Sequence, residues 1–176
     1  MPLPWAPALP LTTDRLVLRR HEADDVDDLL AFHSDPDVVR YIPWPVRTRE
    51  QVETTLALKQ TQHRVDREGD VLVLAIEFEG RVIGEVLLKH EDDAEAELGY
   101  AMDARYHGRG LASEAARAML GLAFGEFGLG KVIAVLDERN AASAALLERL
   151  GMTLERSFPS QFKGESVTEL QYAILR

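Results

Sequence analysis

The sequence predicts a mixed α/β fold in which helices flank one central sheet. Short segments with the two-residue period of strands are interspersed with segments of helical period. The chain has 176 residues, 46% of them hydrophobic, which suits one core. The expected order is a strand, two helices, three strands, a helix, a strand, a helix and two strands.

The first elements are a strand and an acidic helix. RLVLRR, at 15–20, alternates as a strand does. A cluster of acids then opens a helix that ends near His33, because acids in a first turn complement the helix dipole: Asp24, Asp25, Asp27 and Asp28. The cluster lacks calcium-loop spacing, so we prefer the structural interpretation. Residues 34–45 contain three prolines and are expected to form a loop.

A second helix and a hairpin follow. Thr48 and Gln51 form a capping-box pattern that predicts a helix reaching about Glu68. VLVLAIEF and RVIGEVLLKH are apolar segments separated by the pair 79–80, Glu-Gly, which is a two-residue turn signal. They predict a β-hairpin.

The remaining elements alternate between strands and helices. AEAELGYAM predicts a strand, and the next helix presents apolar groups from Leu111 onward and ends at the glycines 128 and 130. KVIAVL is a strand, and a helix from Asn140 to Leu150 is closed by a glycine. Two final strands are expected near 152–158 and 167–175.

Composition excludes several classes of function. The 30 acidic and 20 basic residues give a net charge of -10 without a long basic segment, so we expect no nucleic acid partner. With no cysteine, the chain has no disulfide, no cysteine metal site and no cysteine nucleophile. The five histidines show no ligand spacing, so we expect no metal.

The domain organisation is expected to be simple. Residues 1–10 form a proline-rich arm without the pattern of a signal peptide, and residues 11–176 form one domain. No apolar segment reaches the about 18 residues that a membrane-spanning helix needs, so we expect no membrane partner. A cytoplasmic location is the expectation, and a homodimer is left open.

A phosphate-binding turn is predicted between a strand and a helix. Arg105, Gly108 and Gly110 form the pattern R-x-x-G-x-G, where backbone N–H groups and a helix dipole can meet an oxyanion. The alternatives are a structural turn and a nucleotide site. Ser113 stands where a dinucleotide fingerprint needs a third glycine, and G-x-x-x-x-G-K-[ST] is absent.

In these segments the sequence resembles the GNAT acetyltransferases, and within them the RimJ/RimL-like branch that acetylates protein N-terminal amines. The resemblance covers nearly the whole chain from Leu11 onward. It is carried by LTTDRLVLRR as the opening strand, SDPDVVRYIPWP as the first interhelical loop, AELGYAMDARYHGRGLASEA as the pyrophosphate motif and NAASAALLERLGM as the last helix.

The resemblance implies acetyl-CoA as donor and a mostly antiparallel, partly splayed sheet. The phosphates of acetyl-CoA are expected at the turn that follows Arg105. There they would bind the backbone N–H groups of His107, Gly108, Arg109, Gly110, Leu111 and Ala112. The pantetheine arm is expected along the strand containing Tyr100, Ala101 and Met102, with a further contact from Asn140.

Direct attack by the amine is the expected chemistry, because neither a cysteine nor a G-x-S-x-G elbow is present. Glu97 is the candidate base, acting through water, against the alternative of a solvated carboxylate in an acidic region. Glu85 is a weaker substitute. The resemblance makes Ser143 a possible proton donor to the sulfur, since Leu147 occupies the position of the family's usual tyrosine.

The acceptor is expected to be a protein or peptide α-amine. Such an amine has a pKa of about 7.7 to 8.0 and is appreciably neutral at pH 7.4, unlike a lysine amine near about 10.4. Tyr41 and Trp44 are candidates for the acceptor pocket, against the alternative of loop packing. Acetylation of a small amine, such as a polyamine or an aminoglycoside-like compound, and a noncatalytic CoA-binding module remain the alternatives.

Overall fold

A computed structural model describes residues 3–176, which contain one eight-stranded sheet. The strand order is β1-β2-β3-β4-β5-β6-β8-β7, and every neighbouring pair is antiparallel except β5 with β6. The strands are β1 (Leu11–Thr12), β2 (Val17–Arg19), β3 (Val71–Phe78), β4 (Arg81–His90), β5 (Glu95–Met102), β6 (Lys131–Asp137), β7 (Thr153–Phe162) and β8 (Glu165–Leu175). The predicted mixed α/β class with one mostly antiparallel sheet is confirmed.

Helices cover both faces of this sheet. The α-helices are α1 (Val26–His33), α2 (Pro36–Val39), α3 (Arg49–Lys59), α4 (Leu111–Gly121) and α5 (Ala141–Arg149). Helices α1 and α3 bury Leu29, Phe32 and Val52 against one face, together with Ala75 and Ala101 of the strands. Helices α4 and α5 pack on the main core at the other face. Strand β5 therefore lies between two separately packed layers.

The hairpin and the helix caps form as predicted. Glu79 and Gly80 both have positive φ, 50° and 78°, as a two-residue hairpin turn requires. The Thr48 and Gln51 side chains make both hydrogen bonds of the capping box at α3. The Asn140 side chain accepts a hydrogen bond from the amide of residue 143 at the start of α5.

Three element predictions are wrong. The chain opens with two strands rather than one, because β1 folds back to pair with β2. Helix α3 ends at Lys59 rather than near Glu68, because the following chain turns back to pair Val65 with Trp5 across a 2.9 Å backbone hydrogen bond. The predicted loop at 34–45 contains the short helix α2. Asp35 caps this helix and a proline occupies its first position, a local start signal that the loop prediction overlooked.

The proline-rich segment lies against the sheet domain over the residues that the structure describes. Trp5 is buried, stacks on Phe127 at 5.1 Å and lies 4.9 Å from the His90 ring. Residues 1 and 2 of the predicted arm lie outside the described residues. Trp5 is thus part of the domain core, so the described part of the predicted arm is not separate from the domain.

The sheet opens between β5 and β6. Their registered pairs are Glu95 with Lys131, Ala96 with Val132 and Glu97 with Ile133, after which the pairing stops although both strands continue. The backbone edge of β5 beyond Glu97 therefore faces a gap rather than a partner strand, as the predicted splay requires.

Candidate active site

The glycine-rich turn leads into α4 with its donors free. Gly108 and Gly110 have φ of 73° and 74°, values that side-chain-bearing residues rarely adopt. Within residues 3–176, no backbone carbonyl accepts the N–H groups of residues 108 to 113. Consecutive free donors at the positive end of a helix dipole form a site for an anion such as a phosphate.

A set of hydrogen bonds from the segment before β2 holds this turn in place, and the sequence did not predict it. Glu114 of α4 accepts hydrogen bonds from the Thr13 hydroxyl at 2.5 Å and from Arg15 Nε at 2.7 Å. Arg15 also donates from Nη1 to the Arg109 carbonyl at 2.9 Å. These partners are about a hundred residues apart in sequence, so no local pattern indicates them.

Side chains of the predicted phosphate motif point to other partners. The Arg105 guanidinium binds Asp103, and the Arg109 guanidinium lies 4.9 Å from the centre of the Phe78 ring. Neither arginine lines the cavity described next. His107 Nε2 lies 2.9 Å from the Met102 carbonyl oxygen. The backbone N–H of His107, predicted to bind phosphate, donates instead to the Ala104 carbonyl at 3.2 Å. The turn therefore offers its backbone from residue 108 onward to an anion, whereas its arginine side chains are engaged elsewhere.

A cavity of about 680 Å³ extends from this turn along β5 to α5. Its volume is within the range of about 300 to 1,000 Å³ typical of ligand sites. Ten of the predicted cofactor residues line it: Tyr100, Ala101, Met102, His107, Gly108, Gly110, Leu111, Ala112, Asn140 and Ser143. The structure thus brings together most of the predicted donor site in one space.

A smaller cavity of about 230 Å³ adjoins the larger one. It is lined by both predicted carboxylates, Glu85 and Glu97, and by both predicted aromatic residues, Tyr41 and Trp44. Leu147 also lines it. Because some residues line both cavities, a donor in the larger one and an acceptor in the smaller one would meet beside β5 and α5.

The two cavities meet at a hydrogen-bonded pair of hydroxyl groups. The hydroxyl of Tyr100, on β5, lies 2.6 Å from Ser143 Oγ on α5. Burial raises the pKa of Tyr100, and the opposing effects of Ser143 and of the Arg149 charge do not cancel that rise. The phenol is therefore protonated at neutral pH. Sequence reasoning placed both residues at the site but not their contact.

Glu97 lies where β5 leaves β6, and its environment favours the protonated form. Burial raises its pKa, Lys89 opposes the rise, and Glu91 and Glu169 add to it. The Lys89 ammonium is itself bound to Glu91 at 2.5 Å. Glu97 is therefore a half-buried carboxylate with a raised pKa, which is the usual preparation of a general base or acid.

Glu85 is fully occupied by partners. It is buried and accepts hydrogen bonds from Lys59 Nζ at 2.7 Å and His33 Nε2 at 2.9 Å. Burial alone would raise its pKa, but Lys59 and the two nearby histidines hold the pKa well below its usual range. His21 Nε2 is 3.7 Å away, beyond hydrogen-bond length. Such a carboxylate is a poor proton acceptor.

Residues 3–176 contain no group of three or more histidine, aspartate or glutamate side chains placed to hold a metal ion. Among the helices of these residues, none combines the length and the apolar character needed to cross a membrane.

Comparisons with known proteins agree with this geometry. A family model for an acetyltransferase (GNAT) domain matches residues 15–153. The chain is 31% identical over 168 residues to the uncharacterized N-acetyltransferase YnaD of Bacillus subtilis (strain 168), covering 94% of this chain and 96% of that one.

Solved structures share the fold. A GNAT-family acetyltransferase from Bacillus anthracis has a TM-score of 0.86 at 27% identity, covering 95% of this chain and 98% of that chain. RimL, a ribosomal L7/L12 alpha-N-protein acetyltransferase in complex with coenzyme A, has a TM-score of 0.80 at 19% identity, covering 93% and 95%. From the family match and the near full-length relative, this chain belongs to the GNAT family of N-acetyltransferases.

Proposed function

We propose that the protein transfers an acetyl group from acetyl-CoA to the α-amine of a protein or peptide, in the manner of the RimJ/RimL-like branch. The main support is the pair of adjoining cavities, one ending at free backbone amides and the other holding a carboxylate with a raised pKa. A cytoplasmic location, where donor and protein acceptors meet, is part of the same proposal.

The larger cavity fits the donor. The free N–H groups of residues 108 to 113 suit its pyrophosphate, and the unpaired edge of β5 at Tyr100, Ala101 and Met102 suits its pantetheine amides. Asn140, at the start of α5, lines the same cavity. Acetyl-CoA supplies the activated thioester carbonyl that the amine attacks.

The chain's own residues manage the protons. Glu97 takes a proton from the acceptor amine through water, because it lines the smaller cavity and burial raises its pKa, which makes it a stronger base than an exposed glutamate. Ser143, which lines both cavities, donates to the departing sulfur. No covalent acyl-enzyme is needed, since the chain has no cysteine.

The smaller cavity fits an α-amine on a peptide. Glu97 lines this cavity, and its ionised form attracts a cationic ammonium group. Tyr41 and Trp44 also line this cavity, where their rings can pack on the acceptor peptide. The coenzyme A complex of RimL, which acts on an α-amine, shares the fold.

The experiment combines binding with turnover. Calorimetric titration with acetyl-CoA, with ATP and NAD as controls, should show saturable binding of acetyl-CoA alone. A thiol-release assay then compares a peptide having a free α-amine and an internal lysine with the same peptide blocked at its α-amine. We expect thiol release only with the peptide whose α-amine is free. Release from both peptides would contradict the α-amine assignment.

A further inference from the structure

The junction of the two cavities contains a candidate proton source beyond Ser143. Six residues line both cavities: Tyr41, Ile42, Tyr100, Ala101, Asn140 and Ser143. Three of the six carry a hydroxyl group, namely Tyr41, Tyr100 and Ser143. A group that protonates the leaving sulfur must lie at this junction, because donor and acceptor meet there.

The three hydroxyl groups differ in their partners. The Tyr41 hydroxyl is 3.4 Å from the Arg139 carbonyl oxygen, an exposed contact with a group that cannot supply a proton. The Tyr100 hydroxyl is 2.6 Å from Ser143 Oγ, the distance of a strong hydrogen bond between hydroxyl groups. Ser143 is fixed by its own amide, which donates to Asn140 at 3.2 Å.

We propose that Tyr100 supplies, through Ser143, the proton that the departing sulfur takes up, an inference that rests on the proposed function. As the amine nitrogen bonds to the acetyl carbon and the carbon–sulfur bond breaks, the Ser143 Oγ proton moves to sulfur. The Tyr100 proton moves to Ser143 Oγ in the same step. Water then returns a proton to the phenolate, and the proton accepted by Glu97 leaves to solvent.

The chemistry of the two groups supports this direction. A phenol, with an ordinary pKa of about 10, is a far stronger acid than an alkyl hydroxyl group, so Ser143 alone is a weak donor. Arg149 lines the larger cavity and acts to stabilise the phenolate. Leu147 of α5 is a buried core residue without a hydroxyl group, so the phenol is contributed by β5 instead.

The test compares Tyr100→Phe, Ser143→Ala and the double variant. We expect kcat for thiol release to fall about 10- to 100-fold in each single variant, the low end of general acid catalysis because a thiolate is a good leaving group. The KM and calorimetric Kd for acetyl-CoA should stay within about twofold of wild type. The double variant should be no slower than the slower single variant, since the two groups act as one unit.

Two controls separate the relay from a structural effect. Tyr172→Phe removes a buried tyrosine hydroxyl that binds Glu148 outside both cavities, and it should leave kcat unchanged. Ser143→Thr keeps a hydroxyl group and should retain most of the activity. If Tyr100→Phe folds poorly, Tyr100→Leu removes the same hydroxyl group and should lower kcat to the same extent.

The failures are distinguishable. Wild-type protein that releases no thiol with any amine overturns the proposed function and the relay with it. If the wild type is active, a Tyr100→Phe variant with unchanged kcat overturns the relay alone. The relay is also overturned if the lower rate of Tyr100→Phe is accounted for by weaker acetyl-CoA binding. It is overturned as well if the rate loss in the double variant equals the product of the losses in Tyr100→Phe and Ser143→Ala.

Discussion

Glu85 and Glu97 lie on neighbouring strands and line the same cavity, yet their surroundings are opposite. Glu85 pairs across the sheet with Ala101 and Glu97 pairs with Lys89, so both side chains lie on one face, about 13 Å apart along the strands. Glu85 is buried beside Lys59 and two histidines, and these partners keep it ionised. Glu97 is half-buried near other carboxylates, which favours its neutral form.

This difference assigns Glu85 a structural role and is consistent with the proposed role of Glu97 as a base. A carboxylate held ionised by Lys59 and His33 cannot readily accept a proton, but it fixes α1 and α3 to β4. A carboxylate whose pKa is raised at a cavity wall is a stronger base than an exposed one. The two roles predict that glutamine substitutions of equal size have different consequences.

Glu85→Gln should have the largest effect, and the effect should be on stability. The change leaves Lys59 buried without its counter-charge, which costs about 3 to 5 kcal/mol in the free energy of unfolding. Since the folded pKa of Glu85 is lowered, its stabilisation is present above the ordinary pKa and is lost as pH falls through the folded value.

Denaturant unfolding across a pH series measures this effect. The double variant Glu85→Gln, Lys59→Met is the control and should recover part of the lost stability, because it removes the unpaired charge as well. A single variant as stable as the wild type at neutral pH would refute the structural role.

Glu97→Gln should have the next largest effect, on rate rather than stability. Loss of the base should lower kcat about 100-fold or more in the thiol-release assay, with acetyl-CoA affinity unchanged. Glu95 is the matched control, because it lies two residues along the same strand, pairs with Lys131 and lines neither cavity. Equal rates for Glu95→Gln and Glu97→Gln would remove the base assignment.

Gly110→Ala should weaken acetyl-CoA binding by about tenfold, because an alanine at φ of 74° costs about 1 to 2 kcal/mol and shifts the amides of the turn. Calorimetry measures the loss. Gly121→Ala is the control, since that glycine has an ordinary helical φ and a Cβ there meets nothing within 4 Å. If Gly110→Ala binds as the wild type does, the turn is not the phosphate site.

The smallest effect concerns the stability of Glu97→Gln. The folded pKa of Glu97 is raised, so its contribution to stability is present below the ordinary pKa and is lost as pH rises through the folded value. At neutral pH the free energy of unfolding of the variant should therefore equal that of the wild type or exceed it by at most about 1 kcal/mol. A clear loss of stability at neutral pH would indicate that Glu97, like Glu85, is structural.

Local signals in the sequence predict much of this molecule. The capping box at Thr48, the hairpin turn at Gly80 and the glycines of the phosphate turn each act within a few residues, so their patterns are visible in the chain. Family resemblance added most of the residues that line the larger cavity, because its motif residues follow one another along β5 and α4.

Contacts between distant residues could not be predicted in this way. His33 and Lys59 are 52 and 26 residues from Glu85, so nothing near that residue distinguishes it from Glu97 as a base candidate. Tyr100 and Ser143 are 43 residues apart, and the sequence does not show that their hydroxyl groups are hydrogen-bonded. The early end of α3 likewise depends on long-range pairing with Trp5.

The pH dependence of kcat/KM for wild type and Glu97→Gln, measured with a free α-amine peptide, tests the central claim that Glu97 is the base. At pH values below the pKa of the amine and that of Glu97, log(kcat/KM) of the wild type should rise by about two for each pH unit. One comes from deprotonation of the amine and one from deprotonation of Glu97. The variant should show a slope of about one throughout, from the amine alone. Profiles of equal slope in the two proteins would contradict the assignment.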